Sequence, residues 1–395
     1  MKMAPIAALA EVTLGKMLQP AAKSAEDVRR PYLRAAHVQP HGQLALEVEA
    51  KEMWFSPAEA GALDLRKGDV LVVEGGAVGR STCLGDDLPC LGFQNSLIRL
   101  RPTHASDGRF LDYALRSALA AGAIDVECST VSMAHFTTEK VSRFRIPAPN
   151  IETQRRIADY LDRETAEIDA MDAELDWLME TLRERRMSAH EAALEAAFSV
   201  DGSLQPMWSV LRPVKDQGHP DEEVLSVFRE YGVIPKSSRI DDNHNRTPEN
   251  LSSYQLVRPG DVVINKMKAW QGSLGVSAHR GIVSPDYQVC RPAGPHVDPS
   301  YLHLVLRSPR MIPQYRVRSK GIRPSQWRLY WEDMAPLGIP VPPLDKQRHI
   351  AAELDAQTAR IDDMIADAQR LKELLVERRS TLITEVVTGR KEVPA

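Results

Sequence analysis

Ile146-Pro147-Ala148-Pro149 leads into Gln154-Arg155 and Ile157-Ala158, and Ile339-Pro340-Val341-Pro342 leads into Gln347-Arg348 and Ile350-Ala351. The second stretch lies 193 residues after the first, and the match continues without a gap to Glu184-Arg185-Arg186 and Glu377-Arg378-Arg379. A duplication of this length indicates a molecule with two equivalent halves.

Both copies carry the heptad pattern of a helix that packs against another helix. Apolar residues recur every seven residues in two interleaved registers, with Glu164 and Ala368 as exceptions, which is typical of a coiled-coil seam. The predicted seam residues of the first copy are Ile157, Leu161, Ile168, Met171, Leu175, Leu178 and Leu182. Those of the second copy are Ile350, Leu354, Ile361, Met364, Leu371, Leu375 and Leu382. Two matched stripes in one chain most simply pack on each other.

Capping residues mark the ends of these helices. Asn150 is a suitable N-cap, and Glu152 or Asp345 is favourable in a first helical turn. Gly389 provides a C-terminal stop, and the first helix is expected to end before Gly202. Each helix is therefore expected to contain about 40 residues and to extend roughly 60 Å.

The regions that precede the helices resemble each other more faintly. Gly68-Asp69-Val70 matches Gly260-Asp261-Val262, and Leu115-Arg116-Ser117 matches Leu306-Arg307-Ser308. The segments between these matches differ, which suggests one scaffold with two sets of loops. The chain is predicted to consist of segments 1–145, 146–200, 201–338 and 339–395. Strands are predicted at 69–74 and 261–265, and short helices at 110–120 and 301–307, so the globular regions are mixed α and β.

Bulk composition favours two or three ordinary globular domains. The 395 residues are 43% hydrophobic and 26% charged, with a formal net charge of −4. Any nucleic-acid binding must therefore come from local basic patches. The four cysteines form no CxxC pair, the first ten residues do not form a secretory signal, and no segment has the apolar length of a membrane span. We expect a cytoplasmic protein without membrane contact.

Catalytic and metal motifs are weak in this sequence. The stretch 74–82 superficially resembles a phosphate-binding loop, but Glu74 stands where the first glycine belongs and Arg80 replaces the lysine. A tight turn between strands is the better interpretation. His37 and His41 are four residues apart without further ligands, and no nucleophile motif is evident. This pattern favours a binding protein over an enzyme.

Two windows of the second half are rich in basic and polar residues and contain no acid. One spans 310–328, and the other follows Asp261 and extends to Arg280. Lysine and arginine neutralise phosphates, and glutamine, asparagine and arginine can contact base edges. The candidate DNA-binding residues in these windows are Lys266, Lys268, Trp270, Gln271, Arg316, Arg318, Lys320, Arg323 and Gln326. Weaker counterparts in the first half are Arg80, Gln94, Asn95, Arg99 and Arg101, with Ser129, Thr130, Ser132 and His135 further along the chain.

The order of a globular region, an Ile-Pro-x-Pro helix, a second region and a second such helix resembles the specificity subunit of type I restriction–modification systems. The resemblance covers essentially the whole chain. It is carried by 146–157, 339–350, Arg258-Pro259-Gly260-Asp261-Val262, 281–287 and 382–389. The first half has no close match to 281–287, because Gly92-Phe93-Gln94-Asn95-Ser96 stands there instead.

The resemblance implies two tandem α/β target-recognition domains, each reading one half of a split DNA sequence, and helices that pair as an antiparallel coiled coil. It also implies two methyltransferase subunits and ATP-driven restriction subunits as partners on double-stranded DNA. S-adenosylmethionine, ATP and Mg²⁺ would belong to those partners, and this chain would bind no cofactor and perform no catalysis.

Two other interpretations remain open at this point. The chain could be an unrecognised DNA methyltransferase, which would need a cofactor loop and an Asn/Asp-Pro-Pro-aromatic motif. It could also be a coiled-coil scaffold without DNA specificity, which leaves two divergent basic globular regions unexplained.

Overall fold

The computed structural model describes residues 2–128, 135–199, 204–229, 231–238, 248, 250–323 and 326–394. Two compact units are present: unit 1 comprises Met1–Trp177 and Ala368–Ala395, and unit 2 comprises Leu178–Asp367. Each unit therefore contains one globular region and parts of both long helices. The four consecutive segments remain a prediction as domain boundaries, because the two units divide the helices instead.

The first globular region is mixed α and β. Its elements are β1 (Met3–Pro5), β2 (Ala10–Leu14), β3 (Val28–Leu33), β4 (Lys51–Phe55), α1 (Pro57–Ala62), β5 (Val70–Val73), β6 (Ser81–Cys83), β7 (Gly92–Phe93), β8 (Leu97–Pro102), α2 (Gly108–Ala120), α3 (Ala123–Cys128), α4 (Thr138–Arg143) and β9 (Arg145–Pro147). An antiparallel sheet has the order β2-β8-β5-β6, a second sheet has the order β4-β3-β7, and β1 pairs with β9. All of β5 is buried, which explains its run of valine and leucine.

The second globular region follows α5 (Ile151–Phe198). Its elements are β10 (Leu204–Pro206), α6 (Met207–Val210), β11 (Leu211–Val214), β12 (Leu225–Phe228), β13 (Gly232–Pro235), β14 (Gln255–Val257), β15 (Val262–Asn265), β16 (Leu274–Val276), β17 (Gly281–Val283), β18 (Tyr287–Pro292), α7 (Pro299–Leu306), α8 (Met311–Arg318), α9 (Trp331–Met334) and β19 (Gly338–Pro340), and α10 (Leu344–Val387) comes last. The sheet β11-β18-β15-β16 and the pair β10-β19 repeat the arrangement of unit 1. The duplication of the globular regions is thereby confirmed.

An identical ion pair supports the main sheet in each unit. The Asp69 carboxylate accepts hydrogen bonds from Arg101 Nε at 2.9 Å and Nη2 at 2.7 Å, and the Asp261 carboxylate accepts from Arg291 Nε at 2.8 Å and Nη2 at 2.9 Å. Both aspartates are almost fully buried. A buried carboxylate needs such a bidentate partner to offset its desolvation, so the repeated Gly-Asp-Val motif has a structural role.

The long helices begin and end where the sequence predicts. Helix α5 has 48 residues and α10 has 44. The Asn150 side chain accepts a hydrogen bond from Thr153 N at 2.9 Å, and Gly389 has the positive φ of 75° that a helix stop requires. None of the helices described has the length and apolar content needed to cross a membrane.

A buried glutamine attaches the start of each long helix to its own globular region. Gln154 Oε1 accepts from Asp107 N at 3.0 Å, and Gln154 Nε2 donates to the carbonyls of Ala105 (3.2 Å) and Pro149 (2.8 Å). The Gln347 amide makes the same three contacts with Asp298 N (2.9 Å), His296 O (3.0 Å) and Pro342 O (2.7 Å). Asp107 and Asp298 cap α2 and α7, so each amide connects three segments.

The buried stripe of α10 follows a register that hydrophobicity only partly predicts. Leu354, Ile361, Leu375 and Leu382 are buried as predicted, with Ala368 among them. The interleaved positions are Thr358, Ile365, Lys372 and Arg379, whereas Met364 is 48% and Leu371 46% exposed. The assignment of Met364 and Leu371 to the seam is therefore wrong, because the true interleaved register is one residue later and mostly polar.

Helix α5 shows the same pattern. Ile157, Leu161, Ile168 and Leu182 are buried, and Met171, Leu175 and Leu178 are partly buried. Met179 is buried and continues the register of Thr165 and Asp172. Ile157 and Leu161 share a core with Leu382 and Ile383 in unit 1, and Ile350 shares a core with Leu194 in unit 2.

Polar contacts fix the antiparallel direction of the helix pair within each unit. In unit 1, Arg379 pairs with Asp169 and donates to Thr165 O at 3.2 Å, while Lys372 Nζ lies 2.5 Å from Asp176 Oδ1. In unit 2, Arg186 Nε lies 2.9 Å from Asp362 Oδ1. The Arg186–Asp362 pair is the repeat equivalent of Arg379–Asp169 with the helices exchanged.

Replacing Gln347 by leucine removes three hydrogen bonds from buried backbone groups. We expect the free energy of unfolding to fall by about 2–4 kcal/mol, since each orphaned group costs about 1 kcal/mol or more. The matched control is Gln357→Leu, an exposed position of α10, which should change stability by less than about 0.5 kcal/mol. Denaturant unfolding of both variants gives the comparison, and equal losses would contradict the role of the amide.

Reversing the charge of Arg379 alone places a carboxylate beside Asp169. We expect Arg379→Asp to destabilise the helix pair by about 3 kcal/mol or more, because Arg379 is only 5% exposed. The double variant Arg379→Asp, Asp169→Arg should recover much of that loss. The exposed pair Arg183–Glu180 provides the control, whose reversal should cost less than about 0.5 kcal/mol. A double variant as unstable as the single one, by thermal unfolding, would refute the pairing.

Candidate nucleic-acid interface

The basic surface of unit 2 combines α8 with the turn at 266–273 that joins β15 to β16. Gly272 has a φ of 90°, and a Cβ there would lie 3.1 Å from Ile312 Cδ1 of α8. Only glycine satisfies both the left-handed backbone and this close approach. The turn is therefore pressed against α8, which brings the two basic windows of the sequence together.

Trp270 is held in one orientation within this turn. Its indole nitrogen donates to Met267 O at 3.0 Å, and its ring meets Trp327 edge to face with centroids 5.3 Å apart. Lys266 Nζ donates to Pro285 O at 3.2 Å, whereas Lys268 is exposed. The turn therefore presents a fixed aromatic ring beside an exposed positive charge.

A cleft of about 440 Å³ lies between the turn and α8. Its polar lining consists of Arg229, Trp270, Gln271, Arg307 and Arg316. The Arg307 guanidinium donates to the carbonyls of Leu274 at 2.9 Å and Arg229 at 2.6 Å. Burial lowers the pKa of neighbouring His303 to about 4, with a smaller contribution from Arg307, so this imidazole is neutral near pH 7.

The remaining candidates of the 310–328 window lie outside this cleft. Arg323 and Gln326 are exposed, and Arg318 Nη1 donates to Gln314 Oε1 at 2.8 Å. Lys320 Nζ lies 2.5 Å from Asp333 Oδ1, so its charge is compensated. The windows are free of acid along the chain but not in space: Arg328 pairs with Asp286, and Arg280 pairs with Glu222.

Unit 1 has a smaller cleft, two of whose three arginines pair with carboxylates outside the lining. It measures about 280 Å³, and its lining includes Arg80, His41, Arg116 and Arg379. Arg116 lies 3.5 Å from Asp112, a buried carboxyl whose pKa is raised by burial and which accepts from Ser81 Oγ at 2.6 Å. Burial also lowers the pKa of His41, with further lowering from the charges of Arg379 and Arg116.

The other first-half candidates are dispersed. Gln94 and Asn95 lie between β7 and β8, where their backbone N–H groups donate to Leu33 O and Lys16 O. His135 is exposed beside Gly75, and Ser129, Thr130 and Ser132 lie outside the described residues.

Arg99 and Arg101 do not belong to the candidate interface. Arg99 is 2% exposed and donates to Asp64 O at 2.7 Å, and Arg101 is the partner of Asp69. Their inclusion was wrong because a sequence does not show which face of a strand is covered.

The turn after β5 is not a phosphate-binding loop. Gly76 and Gly79 have positive φ angles, and the turn leads into strand β6 instead of a helix. No group of three or more potential metal ligands occurs among the described residues, and His37 is buried with its Nδ1 3.1 Å from Arg34 N. The stretch 74–80 therefore connects two antiparallel strands, as expected, although the connection is longer than a tight turn.

Sequence reasoning missed Arg229 and Arg307 as cleft residues and did not explain the two glutamines. Arg307 and Arg116 occupy matching positions of the duplication, as do Gln347 and Gln154. Identity between the two copies was the available signal for all four. Arg229 has no such signal, since it enters the cleft only through the fold of the β12–β13 hairpin.

The chain is similar in sequence to known proteins. The family model described as type I restriction modification DNA specificity domain matches residues 23–176. The type I restriction enzyme EcoBI specificity subunit of Escherichia coli is 21% identical over 294 residues, which is 65% of this chain and 60% of that protein.

Two solved structures share the fold along nearly the whole chain. The HsdS subunit from Thermoanaerobacter tengcongensis has a TM-score of 0.58 and 18% identity, covering 99% of this chain and 97% of that one. A structure of a type I R-M system, described for its complex assembly and conformational transition, has a TM-score of 0.65 and 17% identity, covering 98% and 97%. The chain is thus similar in sequence to the DNA specificity domain of type I restriction–modification systems over residues 23–176, and it shares the fold of these two solved structures along nearly its whole length.

Proposed function

We propose that this chain is the DNA-recognition subunit of a type I restriction–modification complex and reads a two-part target. The observation that carries the proposal is the repetition of one scaffold with different surface chemistry in its two turns. At the turn after β5, unit 1 has Ala77 and Val78, whereas unit 2 has Trp270 and Gln271 after β15. Divergent loops on a shared scaffold are what two different half-sites would require.

The long helices fit the role of spacer. At 1.5 Å per residue, α5 and α10 are roughly 70 Å long, while successive major-groove segments lie about 34–36 Å apart. Helices of this length can support readers of two half-sites separated by a fixed nonspecific gap. Each helix start is fixed to its globular region by a buried glutamine, so helix length can determine that gap.

We further propose that chemistry belongs to partner subunits. Two methyltransferase subunits and restriction subunits would hold S-adenosylmethionine, ATP and Mg²⁺, and the complex would act in the cytoplasm. A methyltransferase must extrude its target base from the duplex, so the specificity subunit has to bind the DNA backbone on either side of that base firmly. Tight S-adenosylmethionine binding by the isolated chain would instead revive the methyltransferase interpretation, and negligible DNA affinity of the complex would favour a scaffold.

A map of methyladenine in host DNA tests this function. The full chain is co-expressed with a methyltransferase subunit from the same source, and we expect a two-part motif with a gap of fixed length. A chain without the partner, and the partner without the chain, are the controls. If an active partner co-purifies but methylation lacks any split motif, the proposal fails.

Helix length provides a second test. Removing one heptad from each helix at the facing Asp172–Lys372 contact shortens the pair by about 10 Å, or roughly three base pairs. We expect the gap to change or modification to be abolished. Modification with an unchanged gap would contradict the spacer role, and circular dichroism controls for loss of helix.

A further inference from the structure

We propose that the unit 2 cleft between the turn 266–273 and α8 holds one DNA backbone phosphate beside the half-site that this unit reads. The inference rests on the proposed function and assigns a defined contact to it. Arginine is suited to this role because its planar guanidinium donates two parallel hydrogen bonds to phosphate oxygens.

Positive charge converges at the cleft from three directions. Arg229 comes from the β12–β13 hairpin, Arg307 from the end of α7 and Arg316 from α8. Arg229 and Arg316 are exposed, and neither has a carboxylate within 4.0 Å among the described residues. No acidic side chain is among the lining residues described. Such a site attracts an anion, and its exposed arginines can still donate.

Arg307 holds two backbone segments of the cleft in place. Its guanidinium ties the carbonyl of Arg229 to that of Leu274 in β16, so the hairpin and the turn are held together. The backbone that carries Arg229 is therefore positioned before any ligand arrives. This preorganisation lowers the entropic cost of binding, because fewer groups must be ordered on contact.

Trp270 and Gln271 place recognition chemistry next to the charge. The Trp270 ring is fixed by its hydrogen bond to Met267 O and by Trp327, so it offers a rigid apolar face for a sugar or base. Gln271 lies beside it, and a glutamine amide can bond an adenine edge bidentately. A phosphate bound by the arginines would thus set the register for a side chain able to read a base.

The equivalent place in unit 1 has the same scaffold and different chemistry. Gly79 has a φ of 77°, and a Cβ there would lie 2.8 Å from Ile124 Cγ2, as Gly272 approaches Ile312 in unit 2. The preceding residues are Ala77 and Val78, which have no charge and no hydrogen-bonding side chain. The turn of unit 1 therefore lacks the aromatic ring and the side-chain amide that the turn of unit 2 places beside its arginines.

The first test measures the salt dependence of binding. Arg316→Gln and Arg229→Gln are compared with Arg212→Gln, which removes the same charge from an exposed position on β11. The full chain in complex with its methyltransferase partner binds a duplex carrying the mapped motif. Loss of one phosphate contact should reduce the slope of log K against log salt by about 0.9 for the cleft variants and leave the Arg212 variant unchanged.

The second test locates the phosphate. Methylphosphonate groups replace single phosphates along the duplex, one at a time. In the wild-type complex, one position flanking the unit 2 half-site should weaken binding at least about fivefold. In Arg316→Gln that penalty should disappear, while penalties elsewhere remain.

The outcomes separate the cleft from the proposed function. If the wild type binds the motif specifically, both cleft variants have the same salt slope as Arg212→Gln, and the methylphosphonate penalties of Arg316→Gln equal those of the wild type, only the cleft assignment is overturned. Failure of the wild type to bind the motif overturns the proposed function. Titration with dAMP tests whether the cleft binds a free nucleotide instead of DNA. If Arg316→Gln abolishes dAMP binding but leaves the slope of log K against log salt for DNA unchanged, the cleft assignment is also overturned.

Discussion

One buried side-chain amide in each half determines how helix and globular region are joined. Gln154 and Gln347 are almost completely buried, and each satisfies the backbone at a helix cap, at the preceding loop and in its Ile-Pro-x-Pro segment. Because a buried amide must have its donors and acceptor paired, the direction of the helix relative to its cap is constrained.

The second constraint is the polar register of the paired helices. Arg379 with Asp169 in unit 1 and Arg186 with Asp362 in unit 2 are the same contact made twice. A purely apolar stripe tolerates slippage by a heptad, whereas an arginine that must meet an aspartate permits one alignment. If spacing between half-sites depends on the helices, these pairs contribute to it as directly as helix length does.

The sequence predicted the architecture well because duplication and heptad periodicity are chain-wide signals. Both long helices, their caps, the strands at β5 and β15 and the helices α2 and α7 were predictable. The polar half of the seam was not, since Thr358, Lys372 and Arg379 do not contribute to a hydrophobic pattern. Met364 and Leu371 were assigned in their place, although they are about half exposed.

The candidate interface was predictable only in part. Trp270, Gln271 and Arg316 are near in space because Gly272 packs on Ile312, a contact that hydrophobic pattern cannot show. Arg229 joins them through a hairpin more than 35 residues away along the chain. Lys320 remains a candidate DNA-binding residue, but it pairs with Asp333, which lies beyond the acid-free window. Local composition identifies basic segments, whereas the fold decides which charges are neutralised.

The central claim is that each unit reads its own half of the target while the helices set the gap. The most direct measurement is the methylation motif of a chain in which Trp270 and Gln271 are replaced by alanine and valine, the residues at the equivalent turn of unit 1. The account predicts that one half of the motif changes or becomes degenerate, while the other half and the gap length stay the same. A change in both halves, or in the gap alone, would contradict it.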